Sequence, residues 1–112
     1  MQVPYLVGLI VSKIEFVHDY LQIGFDGGGG MNIFNDFTVD GCNKERLSMI
    51  EGTRLESAEY SKTVFRLTFD NGVVINVCMS DDAFNGPEAL QYVGPDGKEV
   101  IWRGWEEDTQ FN

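Results

Sequence analysis

Histidine occurs once in this chain, cysteine twice and proline three times. Each scarcity excludes something. His18 and the separated Cys42 and Cys78 match no usual zinc-ligand spacing, no Cys-x-x-Cys occurs, and no disulfide framework is legible. Cys78 lies in an apolar stretch, where a thiol reads as a small core residue. Cys42 follows Gly41 in a loop. No run of apolar residues is long enough for a membrane helix. The stretch from Val3 to Val11 is too short to cross a bilayer, has no basic residues before it and has no small-residue cleavage site after it. The expectation is a cytoplasmic protein that engages no membrane.

Basic residues are also few, 8 against 18 acidic ones, for a net charge of −10. The excess is concentrated toward the end of the chain, in Asp81, Asp82, Glu88, Asp96 and Glu99 and then Glu106, Glu107 and Asp108, opposed only by Lys98 and Arg103. Such a field repels nucleic acid and anionic membranes and favours a basic partner. It also helps to keep a small domain in solution. With 43% apolar and 12% aromatic residues, the 112-residue chain has the make-up of one folded domain with one core.

The most unusual stretch is LQIGFDGGGGMNIF, residues 21–34, in which four glycines separate two alternating apolar runs. A phosphate cradle would need a helix after the glycines. Here Met31-Asn32-Ile33-Phe34 alternates like a strand, and no Lys-Ser/Thr follows. The explanation lies in an internal repeat. Residues 8–33 fall without a gap on residues 52–77, with identical pairs at Gly8/Gly52, Glu15/Glu59, Phe25/Phe69, Asp26/Asp70, Gly28/Gly72 and Asn32/Asn76. In the second copy Asp70-Asn71-Gly72 is a tight-hairpin turn, because Asn and Gly tolerate positive φ. Asp26-Gly27-Gly28 takes the same place in the first copy, so the glycines form a hairpin tip.

Each copy reads as a three-stranded antiparallel meander, over 8–17, 20–25 and 31–39 in the first and 52–60, 63–69 and 73–79 in the second. The alternation breaks near Ser12-Lys13 and again near Glu56-Ser57, which predicts a matching bulge. Between the copies, Lys44 to Ile50 suits one or two helical turns with Leu47 and Ile50 facing inward and Asn43 as N-cap. Gly94-Pro95-Asp96-Gly97 predicts the loop of a C-terminal hairpin over 89–102, followed by a frayed acidic tail over 103–112. The expected fold is all-β with little helix. Two meander repeats and a C-terminal hairpin form a β-sandwich or a partly open barrel in a single domain, 1–112.

Catalysis needs a nucleophile, an acid–base pair or a metal. His18 sits at a turn, opposite Lys62 in the other copy. Asp26 and Asp70 are turn residues. Glu15 and Glu59 read as an outward pair near Lys13. Asp81 and Asp82 with Asp36 and Asp40 lack the D-x-D-x-D-G spacing of a calcium loop. The expectation is therefore a non-enzyme without cofactor or metal, and surface recognition is the remaining role. Trp105 is an aromatic anchor candidate beside Arg103, whereas Trp102 reads as closing the core.

The Phe69-Asp70-Asn71-Gly72 hairpin, then Gly86-Pro87-Glu88-Ala89-Leu90, then a hairpin ending in Val100-Ile101-Trp102 resemble small acidic bacterial immunity proteins. These accompany polymorphic toxins, including those of contact-dependent growth inhibition systems. The resemblance spans residues 52–102. It implies a monomeric or weakly dimeric inhibitor that binds a cognate, basic, nuclease-like toxin domain and covers its active cleft, without touching nucleic acid itself. The acidic and aromatic residues expected at that interface are Asp81, Asp82, Glu88, Trp105, Glu106 and Glu107, with Asp36 and Asp40 beside them. The alternative is a ligand- or metal-binding β-domain, or a structural module, without catalysis.

Overall fold

The computed structural model describes residues 1–80 and 88–103 in full and residues 107–110 as backbone. The first repeat folds as β1 (Val11–Val17), β2 (Tyr20–Phe25) and β3 (Gly30–Ile33), and the second as β5 (Leu55–Tyr60), β6 (Val64–Phe69) and β7 (Val74–Cys78). Between them lie β4 (Phe37–Asp40) and a 3-10 segment, Lys44–Ile50. After them come β8 (Leu90–Val93), β9 (Glu99–Trp102) and β10 (Glu107–Gln110). All pairings are antiparallel. One sheet has the order β1-β2-β3-β8-β9-β10 and the other β4-β7-β6-β5. They pack face to face as a sandwich and do not close into a barrel.

The repeat is present in the registers. β1 and β2 pair with a shift between Val11 and Lys13, and β5 and β6 pair with a shift between Leu55 and Ser57. The bulges fall on matching positions, as the broken alternation predicts. Phe25 accepts from Gly28 and donates to Gly29, and Phe69 does the same with Gly72 and Val73. Even the join between halves is symmetric. Ile10 and Arg54 form an antiparallel bridge, flanked by Val11 N–H to the Thr53 carbonyl and Leu55 N–H to the Leu9 carbonyl. The correspondence also runs further upstream than residue 8. A short 3-10 turn, Pro4–Leu6, matches the end of the Lys44–Ile50 segment, and Leu6 and Ile50 are both fully buried.

Three expectations need correction. The stretch 31–39 is two strands in different sheets, not one. Asn35, the one buried polar residue among those described, turns inward between them and donates from Nδ2 to the Cys78 carbonyl at 2.7 Å. Phe34 and Asn35 N–H both reach the Ala89 carbonyl. The chain therefore crosses after β3 to pair beside β7, and crosses back after β7 to pair β8 beside β3. Each half lends the other a strand. The second correction concerns Asn43. It precedes the 3-10 segment but makes no side-chain cap bond, although Leu47 and Ile50 are buried as expected. Further along, Glu107–Gln110 add a strand beside β9 where the sequence suggested fraying.

The core is the inward set of both sheets. Leu21, Ile23, Met31 and Ile33 come from one, and Phe65, Leu67, Ile75 and Val77 from the other, all at most 1% exposed. Trp102 reaches across from β9 to stand edge-on to Phe65, ring centres 5.0 Å apart. Burying each such side chain contributes about 1.5–3 kcal/mol.

Candidate functional site

The outer face of the four-stranded sheet carries a polar ladder built by strand register. Thr38 of β4 lies opposite Asn76 of β7, Asn76 opposite Arg66 of β6, and Arg66 opposite Glu59 of β5. Period-two alternation sends Ile75 and Val77 inward and leaves these side chains outside. Asn76 accepts from Arg66 Nε at 3.0 Å and donates from Nδ2 to Asp40 Oδ2 at 3.0 Å. Arg66 also reaches Glu59 at 3.4 Å. The one arginine of the ladder thus serves Glu59 and Asn76, while the Asp40 carboxylate is held by an amide.

Beside the ladder runs a groove of about 260 Å³, lined by Asp36, Phe37, Thr38, Val64, Asn76 and Cys78. Phe37 and Val64 give it an apolar lining. Asp36 lies within it and Asp40 on its Asn76 side, both carboxylates exposed. The Lys44 ammonium stands 4.3 Å from the Phe37 ring centre, a cation–π contact. Cys78 is half-buried in this groove, its Sγ 3.0 Å from Ser80 Oγ, rather than a core residue. It falls on the outward phase of β7, between inward Val77 and Met79. Both cysteines are free thiols.

The expected interface residues separate into four groups. Asp36 lines the groove, and Asp40, at the far end of β4, is tied to its lining only through Asn76. Glu88 precedes Ala89, whose carbonyl holds the Phe34–Asn35 crossover, so Glu88 and Asp36 flank the same crossing. Glu107 begins β10, opposite Trp102. Asp81, Asp82, Trp105 and Glu106 lie outside the described residues. Trp102 is fully buried, as expected. Glu15 and Glu59 do face outward to cations, Lys13 at 3.5 Å and Arg66 at 3.4 Å. The organising residue, Asn76, was not singled out from sequence. Its recurrence as Asn32, which donates to Gln91 at 3.0 Å on the other sheet, was the available signal.

A second depression, about 310 Å³, lies over the first sheet, lined by Lys13, Glu15, Gln22, Gly24, Gly30 and Asn32. Thr68 and Val74 stand in the places of Gly24 and Gly30 in the other half. Gly30 has a backbone reason: a Cβ there would lie 2.7 Å from the Ile23 carbonyl oxygen. Among the described residues no three His, Cys, Asp or Glu side chains gather as metal ligands, and no helix is long and apolar enough to cross a membrane.

The phenol of Tyr92 is displaced upward. Tyr92 packs against Tyr5 and Phe25, and burial, then the nearby Asp96 carboxylate, raise its phenol above the ordinary value of 10.0. The unfolded chain then loses the phenolic proton first as pH rises. The stability this group contributes is fully present below about 10 and is lost as pH rises through the folded value. Titration of phenolate absorbance is expected to show Tyr92 late, identified by comparison with Tyr92→Phe, and Asp96→Asn to bring it partly back.

These features define the class of molecule: an all-β sandwich made of two copies of one meander, with an acidic groove on an outer face. Comparison of the chain with protein-family models, with curated proteins and with solved structures finds no match.

Proposed function

We propose that this chain is a non-catalytic inhibitor of the immunity type, which binds a basic toxin domain and covers its active cleft. A nuclease is the toxin class that fits best, because a cleft built to hold phosphates presents the cations that carboxylates attract. The observation that carries this reading is an apolar groove of Phe37 and Val64 with the Asp36 carboxylate in its lining, and with Asp40 bonded to its Asn76, on a chain of net charge −10. Carboxylates at such a groove speed encounter and orient the partner, while desolvated apolar contacts hold it. Glu88 flanks the same crossing as Asp36 and adds to that charge.

The test is co-expression with the C-terminal domain of the protein encoded immediately upstream. That domain alone is expected to arrest growth, and this chain to restore it through a stable complex. The double substitution Asp36→Lys, Asp40→Lys is expected to slow association roughly tenfold at low salt, with a smaller effect at high salt. A neighbour that is harmless, or that kills regardless of this chain, overturns the reading.

A further inference from the structure

The two halves finish their first strands differently. The outer edge of β5 is covered by the start of the chain. Tyr60 N–H donates to the Met1 carbonyl at 2.7 Å, the Met1 ammonium donates to the Tyr60 carbonyl at 2.6 Å, and Val3 N–H donates to the Ala58 carbonyl at 2.8 Å. Gln2 lies opposite Glu59 between them. The counterparts of Ala58, Glu59 and Tyr60 are Ile14, Glu15 and Phe16 of β1. The residues that would cover them by symmetry, 45–47, are wound into the 3-10 segment instead. Among the described residues, nothing bonds the outward N–H or carbonyl of Phe16, or the carbonyl of Ile14. The Ile14 N–H is taken by the Glu51 carboxylate at 2.9 Å. Phe16 is 54% exposed, whereas its counterpart Tyr60 is 7% exposed.

An edge with vacant backbone groups is a template for another strand. β1 is a better template than β4, the open edge of the other sheet, because it has 7 residues against 4. Its occupied twin shows the form an occupant takes: extended, antiparallel, with Met1, Gln2 and Val3 supplying an apolar–polar–apolar sequence. Charge sharpens the middle position. Glu15, Glu51 and Asp19 lie on or beside this edge, against Lys13 and His18. A cation opposite Glu15 is favoured there, and a carboxylate is disfavoured. We propose that the outer edge of β1 takes an extended segment of the basic partner, with an apolar–basic–apolar sequence opposite Phe16, Glu15 and Ile14. This rests on the binding reading above and adds where and in what conformation the partner docks. The segment's backbone supplies a carbonyl to Phe16 N–H and N–H groups to the Phe16 and Ile14 carbonyls. Glu51 closes the edge beyond Ile14 and so sets the register.

The probe is an acetylated, amidated heptapeptide of alternating lysine and valine, added to the isotope-labelled full chain. Its glutamate–valine analogue is the comparison. The expected result is amide shifts confined to residues 13–18, slowed exchange of the Phe16 amide, and preference for the lysine peptide. Phe16→Pro removes only an outward N–H from β1 and is tolerated at an edge, and it is expected to weaken binding roughly tenfold. Glu15→Lys, at an exposed position, keeps the fold and is expected to reverse the preference between the two peptides. Shifts at β4 or at residues 53–60, no shifts at millimolar peptide, or concentration-dependent shifts at β1 without peptide, which mark a second copy as occupant, each overturn the proposal. The two readings fail separately. Undiminished affinity of the Phe16→Pro chain for the neighbouring domain sinks the edge and leaves the inhibitor. Peptide capture at β1 with no effect of the chain on the neighbouring domain sinks the inhibitor and leaves the edge.

Discussion

Trp102→Ala is expected to lower stability by about 3–5 kcal/mol, roughly a fifth or more of what a domain of this kind holds. Trp102 is fully buried and belongs to β9 of the six-stranded sheet, yet its aromatic neighbours are on the other sheet. It stands edge-on to Phe65 at 5.0 Å and to Tyr60 at 6.3 Å, and those two rings stack on each other at 5.5 Å. Deleting the indole leaves a cavity between the sheets, where strands on both sides hold their backbones apart and limit collapse. A urea titration followed by circular dichroism checks this: the midpoint falls while the slope stays unchanged. Trp102→Phe is expected to cost less. It keeps an aromatic ring at the junction and removes an indole N–H that is buried without a partner among the described residues. Equal losses for the two substitutions would show that the ring contacts do not carry the junction.

Gly29→Val is expected to cost about 2–5 kcal/mol, even though valine is what the other half of the protein has at this position. Gly29 has φ +83°, and a Cβ on it would lie 2.5 Å from the Val93 carbonyl oxygen and 3.1 Å from the Gly94 carbonyl carbon. Both are backbone atoms of the loop after β8 and cannot rotate away. In the second half the same close approach is made by β4 and its turn, and there the glycine is on the approaching chain. Gly41, at φ +96°, would place a Cβ 3.0 Å from the Gly72 carbonyl oxygen. One glycine is needed at each contact, and the two halves place it on opposite sides. Gly24→Thr, also a swap to the counterpart residue, is expected to stay within about 0.5 kcal/mol. Its Cβ would come nearest the Ser12 hydroxyl, a side-chain atom at 3.2 Å, with Lys13 at an ordinary 3.8 Å. Thermal unfolding of the two variants side by side checks the contrast, and a Gly29→Val protein as stable as Gly24→Thr would refute the backbone contact.

Much of the site was legible in part. That Asp40 is exposed follows from its place before Gly41, and the outward phase of Glu15 and Glu59 follows from alternation, whereas Asp36 fell inside the expected strand 31–39 and only the break between β3 and β4 shows it at a turn. The groove was not legible. It exists because Thr38 lands opposite Asn76, and that pairing joins strands from different repeats. Cys78 was misplaced for a related reason: an apolar neighbourhood in sequence hides which phase of a strand faces out. The vacant edge of β1 was equally hidden, since residues 1–3 and 45–47 are equivalent by repeat but only the former lie along a strand.

What the chain's order of residues determined by itself is local and repeated: two meanders, their matched bulges at Ser12 and Glu56, and the tight turns at Asp26 and Asp70. Alternation and turn chemistry act over a few residues, so a linear reading captures them. Tertiary structure alone decided that each meander borrows its next strand from the other half, that Asn35 marks the crossing, and that one edge is covered while its twin is left open. Those outcomes depend on which faces bury each other across the sandwich, an energy shared between residues dozens of positions apart and invisible to any short window of sequence.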